Sequence, residues 1–251
     1  MASFSVLIPA RFASTRLHGK PLIQMAGMTM IERVYERASQ SNADRVVVAT
    51  DDERIVAEVK KFGGEVILTS LDHASGSDRI YEAAKIMGLG EQEVVVNVQG
   101  DEPLVPPSLI NDVAKEINHE TQVATLCERI DSLDMLLNRN IVKVVRDAFN
   151  NALYFSRAPI PFPPENVSNE NFVEQEQKYY RHIGIYAYTV RQLKKFVSQS
   201  PCSIEQVEKL EQLRMLNFGT KVRVEESEIL SPAGVDTIED VRRIISELGK
   251  D

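Results

Sequence analysis

FSVLIPARFASTRLHGKPL, residues 4–22, starts as an apolar strand-like run, breaks at Pro9 and passes into a polar loop that ends in a Lys-Pro pair. The same alternation recurs along the chain. An amphipathic helical pattern covers 30–41, RVVVATDD at 45–52 is strand-like, and a second helical pattern covers 53–62. Short apolar runs at 65–69 and 94–98 flank a helix over 78–87. Strands that alternate with helices predict a parallel sheet with crossover helices, so the N-terminal half reads as a doubly wound α/β domain.

Farther along, a helix is expected over 108–118, strands over 123–126 and 142–146, then ALYFSRAPIPF at 152–162. The polar stretch 163–178 has no periodicity and is expected to be an exposed loop or a flap that orders on binding. YRHIGIYAY at 180–188 alternates as a strand does, and helices are expected over 191–199 and 204–217. Neither a repeat nor a linker interrupts the chain, so residues 1–251 read as one domain with a smaller lobe at about 123–190.

Bulk composition narrows the function classes. With 251 residues, 43% hydrophobic and 26% charged, the chain has the make-up of a folded globular protein. A formal charge of −8 without a run of Lys or Arg argues against nucleic acid as a partner. An acidic protein that binds anions needs a local cationic cluster, a helix N-terminus or a metal ion. Cys127 and Cys202 lie far apart without Cys-x-x-Cys spacing and are expected to be reduced thiols. The first residues do not form a signal peptide, and no apolar stretch approaches a membrane span. A cytoplasmic protein without membrane insertion is expected.

In an open parallel sheet ligands bind beyond the carboxyl ends of the strands. Three polar segments follow such ends: PARFASTRLHGKPL after 4–8, TDD after 46–49 and QGDEP after 94–98. The first concentrates Arg11, Arg16 and Lys20 among Ser14, Thr15 and Gly19, and such crowding favours a bound polyanion such as a triphosphate. A solvated basic loop is the plain alternative. It is not a phosphate-binding G-x-x-x-x-G-K-[ST] loop, nor a G-x-G-x-x-G turn.

The segment resembles the signature loop of the sugar nucleotidyltransferases, and within them the 3-deoxy-manno-octulosonate cytidylyltransferase family, whose loop commonly reads I-P-A-R-x-x-S-T-R-L-P-G-K-P-L. Here His18 stands where that family has proline, a change expected to loosen the turn. The likeness continues through VATDDERI, FGGEV, SGSDR, VVNVQGDEPLVPP, ALYFSRAPIPF, RHIGIYAY, EKLEQLR and GVDT, nearly end to end. In SGSDR, Ser77 replaces the usual threonine.

The resemblance implies the nucleotide-diphospho-sugar transferase type of doubly wound, mostly parallel sheet, with a lobe for sugar binding and dimerisation. It implies a homodimer that transfers CMP from CTP, with Mg²⁺, to the C2 hydroxyl of 3-deoxy-manno-octulosonate and so activates the sugar for lipopolysaccharide synthesis. Residue by residue, Asp101 and Asp236 would hold the Mg²⁺, with Arg11, Arg16 and Lys20 completing the catalytic set. Pro9, Ala10, Arg11, Ser14, Lys20, Ser75, Gly76 and Arg79 would bind the nucleotide. Gln99, Arg157, His182, Tyr186, Glu211 and Gln212 would bind the sugar, with the planar Arg157 guanidinium opposite the sugar carboxylate.

Local chemistry leaves other readings open at most of these positions. Asp101 suits a turn, and Asp236 suits the acidic start of a final helix. Ser75 suits a helix cap. His182 suits a hydrogen-bonded structural histidine, Tyr186 with Tyr188 a packed core face, and Glu211 a solvated helix. Rival functions are transfer to sialate or to the 8-amino form of the sugar, and a nucleotide-binding regulator without catalysis.

Overall fold

A computed structural model describes residues 3–13, 17–73, 75–163, 167–172 and 178–249. In chain order its elements are β1 (Phe4–Ala10), a 3-10 turn (Lys20–Leu22), β2 (Gln24–Met25), β3 (Met28–Thr29), α1 (Met30–Ser39), β4 (Arg45–Thr50), α2 (Glu53–Lys61), β5 (Glu65–Leu68), α3 (Gly76–Ile86) and β6 (Val94–Asn97). There follow α4 (Pro107–Lys115), β7 (Val123–Arg129), α5 (Leu133–Leu137), β8 (Lys143–Arg146), β9 (Ala152–Ser156), β10 (Tyr180–Thr189), α6 (Val190–Val197), α7 (Ser203–Glu208), α8 (Gln212–Asn217), β11 (Arg223–Glu226) and α9 (Ile238–Leu248).

The central sheet runs β11-β7-β10-β6-β1-β4-β5, with the β8–β9 pair attached to β10. β6, β1, β4 and β5 are mutually parallel, and within the seven-strand row β10 alone reverses, pairing antiparallel with both β6 and β7. The doubly wound, mostly parallel sheet expected from the sequence is therefore the architecture.

Strand period builds the two cores. Phe4, Val6 and Ile8 of β1, Val46 and Val48 of β4, and Val94 and Val96 of β6 face α1, α2 and α4. The alternate residues Leu7, Val47, Ala49 and Val95 face α3 and α6. Both faces of the inner strands are covered, which is why these runs read as continuously apolar. Each buried Val, Leu or Ile contributes about 1.5–3 kcal/mol. Helix starts are set locally. α1, α3 and α9 each open on a capping box, formed by Thr29 with Glu32, Ser75 with Asp78 and Thr237 with Asp240.

Three expectations change. The lobe is narrower than 123–190, because β7 and β10 at its two ends belong to the central sheet. Between them the chain adds α5, the β8–β9 pair, which joins the sheet through β10, and a small core of Ile130, Leu136, Phe172 and Tyr179. The single helix over 204–217 is two helices, broken at Lys209 in the left-handed region (φ 57°, ψ 46°). The break lets Glu205 and Arg214 form a buried ion pair with Nε–Oε2 at 2.9 Å, whereas one straight helix would set residues nine apart at about 13 Å of rise. A non-glycine residue in this region costs roughly 1–3 kcal/mol. Finally β11, whose short alternation KVRVE at 221–225 carries only two apolar residues, pairs parallel with β7 at the sheet edge. The expected loop over 163–178 falls partly outside the described residues.

Candidate active site

β1 lies between β4 and β6 in parallel, so Arg11, Asp51 and Gln99, each just past a strand, emerge on one edge of the sheet. Gly100 allows the close approach there, since a Cβ on it would stand 2.8 Å from the Pro9 carbonyl oxygen. The turn at Gly100 aims Asp101 at Lys20, whose Nζ donates to Asp101 Oδ2 at 2.6 Å.

Asp236 reaches the same point from the far end of the chain. The Val235 N–H donates to the Asp101 carbonyl at 2.9 Å, and the N–H groups of Asp236 and Thr237 both donate to Asp240, so the start of α9 pins the segment. Lys20 Nζ also donates to Asp236 Oδ1 at 3.3 Å. Two carboxylates 135 residues apart thus share one ammonium.

Around them is a cavity of about 320 Å³. Pro9, Ala10, Arg11, Lys20, Ser75, Gly76, Arg79, Gln99, Asp101, Glu211 and Asp236 all line it. Two of these are also structural. The Ser75 hydroxyl caps α3, and the Arg79 guanidinium, 3% exposed, is spent on Asp51 and on Thr69 Oγ1. Ser14 and Arg16 lie outside the described residues. At His18 the described residues show a packed turn: its ring meets Phe12 edge-on at 4.8 Å, and the Arg54 guanidinium stacks 3.3 Å above the Phe12 ring.

A second cavity of about 280 Å³ adjoins the first, sharing Gly76, Gln99 and Glu211 with it. His182, Tyr186 and Gln212 line it together with those three. Burial, with the Arg181 charge nearby, pushes the His182 imidazole down to about 3, so the ring is neutral. Its Nε2 stands 3.1 Å from Thr125 Oγ1. The single Thr125 hydroxyl proton has the Ile183 and Ile185 carbonyls as acceptors, so His182 Nε2 carries the donated proton and Nδ1 is left as an acceptor. The Glu211 carboxyl takes the Ser77 hydroxyl at 3.3 Å, and the desolvation of the cavity wall raises its pKa. Tyr186 stacks on Tyr188 at 5.6 Å, with burial raising both phenols.

Arg157 is the exception. It lines neither cavity. Its Nε donates to the Glu208 carbonyl at 2.9 Å and its Nη1 to the Arg139 carbonyl at 3.2 Å, so the guanidinium braces the lobe where it meets α7.

Among the lining residues that the sequence does not point to, three carry chemistry. His73, in the first cavity, is held by Glu82 and stands two residues before Ser75. Asn97, 3% exposed, lines the second cavity, and its Oδ1 has no hydrogen-bond partner among the described residues. A lone amide in the apolar run VVVNV was the available signal. Lys209 also lines the second cavity, hidden in the sequence by the helix pattern that the structure breaks.

Known proteins match this arrangement along the whole chain. A cytidylyltransferase family model matches residues 5–224. A Cellvibrio japonicus protein named 3-deoxy-manno-octulosonate cytidylyltransferase is 50% identical, covering 96% of each chain. One of the same name from Marinobacter nauticus is 51% identical over 96% of this chain and 95% of its own. The solved structure of a CMP:2-keto-3-deoxy-manno-octonic acid synthetase complexed with CTP superposes with a TM-score of 0.90, at 37% identity over 99% of both chains. From the strand-end loops to the start of the last helix, then, the chain belongs to the cytidylyltransferase family, in its 3-deoxy-manno-octulosonate branch.

Proposed function

We propose that this protein transfers CMP from CTP to the anomeric C2 hydroxyl of 3-deoxy-manno-octulosonate, giving the CMP-sugar and pyrophosphate. The observation that carries the proposal is the pair of adjoining cavities, one lined by Arg11, Lys20 and two aspartates, the other chiefly by hydrogen-bonding groups such as Asn97, His182, Tyr186 and Gln212, joined at Gln99 and Glu211. A nucleotide triphosphate suits the first and a polyhydroxylated acid the second. The relatives' shared name and the CTP complex of the structural neighbour support the same pairing.

In this reading the sugar C2 oxygen forms a bond to the α-phosphorus, and the bond to the bridging oxygen breaks. Pyrophosphate leaves with that electron pair and the hydroxyl proton passes to solvent. No protein nucleophile is needed; positioning and charge neutralisation suffice. Arg11 and Lys20 neutralise the phosphates, Pro9, Ala10 and Gly76 bring backbone close to the nucleoside, and Gln99 orients the sugar at the junction. Ser14 and Arg16 of the same loop belong to this set by resemblance.

Asp101 and Asp236 fit Mg²⁺. They share a cation at hydrogen-bond distance, and among the described residues no cluster of three or more His, Cys, Asp or Glu forms a metal cage. Two carboxylates with water and phosphate oxygens make the coordination that Mg²⁺ prefers. When bound, it neutralises phosphate charge and lowers the pKa of a hydroxyl it contacts. With Mg²⁺ held by Asp101 and Asp236, the Lys20 ammonium would be released from them to pair with phosphate oxygens.

We read residues 1–251 as one catalytic unit acting as a homodimer in the cytoplasm. Exposed Phe149 and Leu153 on the projecting hairpin support the dimer. Among the described residues no helix is long and apolar enough to cross a membrane. The test is pyrophosphate release from CTP and Mg²⁺ with a panel of acidic sugars. Turnover with 3-deoxy-manno-octulosonate is the expected result. Turnover with sialate alone, or CTP binding without release, would overturn the proposal in favour of another acceptor or of a regulator.

A further inference from the structure

Resting on that reading, we infer that Lys143 and Glu208 are positioning residues for the acceptor, which together fix the wall of the second cavity from behind. Neither lines a cavity itself. Lys143 opens β8 and is fully buried. Its Nζ donates to the carbonyls of Asn138 at 2.9 Å, Ile141 at 2.6 Å and Arg157 at 2.7 Å. Three carbonyl acceptors need three N–H bonds, so the group is the ammonium, although burial lowers its pKa. Lysine is almost never fully buried, and a buried charge that meets only backbone carbonyls is costly. A methionine would fill the same space. What the ammonium adds is direction, a single point to which the 138–141 turn and the end of β9 are both tied.

Glu208 closes the arrangement from the other side. Its carboxylate accepts the Ser156 hydroxyl at 2.5 Å and the Arg157 N–H at 2.9 Å, and its carbonyl accepts Arg157 Nε at 2.9 Å. The Ser156–Arg157 dipeptide is thus gripped by an ammonium on its carbonyl and by a carboxylate on its N–H. Each grip leads to the second cavity. Val142, next to Lys143, lines that cavity, and its carbonyl accepts the His182 N–H at 2.8 Å. Glu208 ends α7, just before Leu210, Glu211 and Gln212 of the opposite wall. Two walls built from remote segments are therefore joined at Ser156–Arg157. Stability does not account for charges at this joint, since apolar packing in a buried place is often as good as an ionic contact. A fixed spacing between the walls does account for them, because an acceptor held for attack on phosphorus needs its pocket set to a fraction of an ångström.

The test compares wild type, K143M, E208A and E208Q by steady-state kinetics with 3-deoxy-manno-octulosonate, by calorimetric titration with CTP and by thermal melts. K143M and E208A are expected to raise the KM for the sugar by about tenfold or more, while the Kd for CTP stays within about twofold of wild type. E208Q keeps an acceptor for the Arg157 N–H and can donate to the Ser156 hydroxyl, so its sugar KM is expected to stay within about threefold of wild type. A merely structural role would weaken CTP and sugar together, in step with the melt. Should K143M fail to fold, E208A decides by the same split. The inference is overturned if either folded variant keeps the wild-type KM for the sugar, or if sugar and CTP weaken by the same factor. No turnover of the sugar by wild type would instead overturn the function on which the inference rests.

Discussion

Asn97 and His182 face the same cavity and owe their behaviour to opposite causes. Asn97 ends β6 after three valines, and its buried, unpartnered Oδ1 costs the fold the desolvation of an amide. N97V is therefore expected to stabilise the protein by about 1–2 kcal/mol in urea unfolding while raising the sugar KM several-fold. A variant that is less stable would show that the amide has a partner in the free protein. His182 is held neutral, its folded pKa near 3 lying below the unfolded value of 6.5. Between those values the unfolded chain binds the extra proton, so this contribution is complete above pH 6.5 and is lost as pH falls towards 3. The stability advantage of wild type over H182N should then shrink by about 2 kcal/mol from pH 6.5 to pH 5, at ~1.4 kcal/mol per unit. Equal losses in both proteins would remove the assignment. Neither property is visible from residue type: a histidine after an arginine in RHIGIYAY could have been charged and exposed.

Among the elements, the inner strands were fully legible, because period-2 packing against helices on both faces requires unbroken apolar runs such as VLI and VVV. Helix starts were legible where a capping box advertised them, as at Thr237 and Asp240. β11 and the break at Lys209 were not, since an edge strand and a turn imposed by a buried ion pair depend on partners remote in sequence. The turn that joins β6 to Asp101 is the element on which the site hangs. Its Gly100 has no room for a side chain, with the Pro9 carbonyl 2.8 Å from a Cβ position. G100A should push the ends of β1 and β6 apart, costing about 1–3 kcal/mol of stability and at least about tenfold in kcat. A folded G100A with wild-type turnover would show that the approach has no bearing on chemistry.

For the whole molecule, the decisive event is the meeting of Asp101 and Asp236 at Lys20. D101N and D236N are each expected to lower kcat by about 100-fold or more, with melts near wild type, because the proposed Mg²⁺ site would lose one of its two carboxylates. EDTA should abolish turnover and added Mg²⁺ restore it; full activity in EDTA would remove the metal from the reaction. The projecting hairpin exposes Phe149 at 76% and Leu153 at 59%. If the proposed dimer forms through this hairpin, F149E with L153E should convert it to a monomer in light scattering, and an unchanged mass would place the contact elsewhere. Sequence alone determined the alternating α/β order, the three polar loops at the strand ends and, through spaced matches along the chain, the family. These are local properties: periodicity, caps and motifs are written in neighbouring residues. Only tertiary structure decided that two aspartates 135 residues apart share one ammonium, that Arg157 turns to backbone carbonyls, and that Lys209 borders the second cavity. Direction and proximity belong to packing between remote segments, and residue spacing does not encode them. The cationic loop that opened the sequence shows the division: its charge announced an anion site, while its Lys20 found its partners only through the fold.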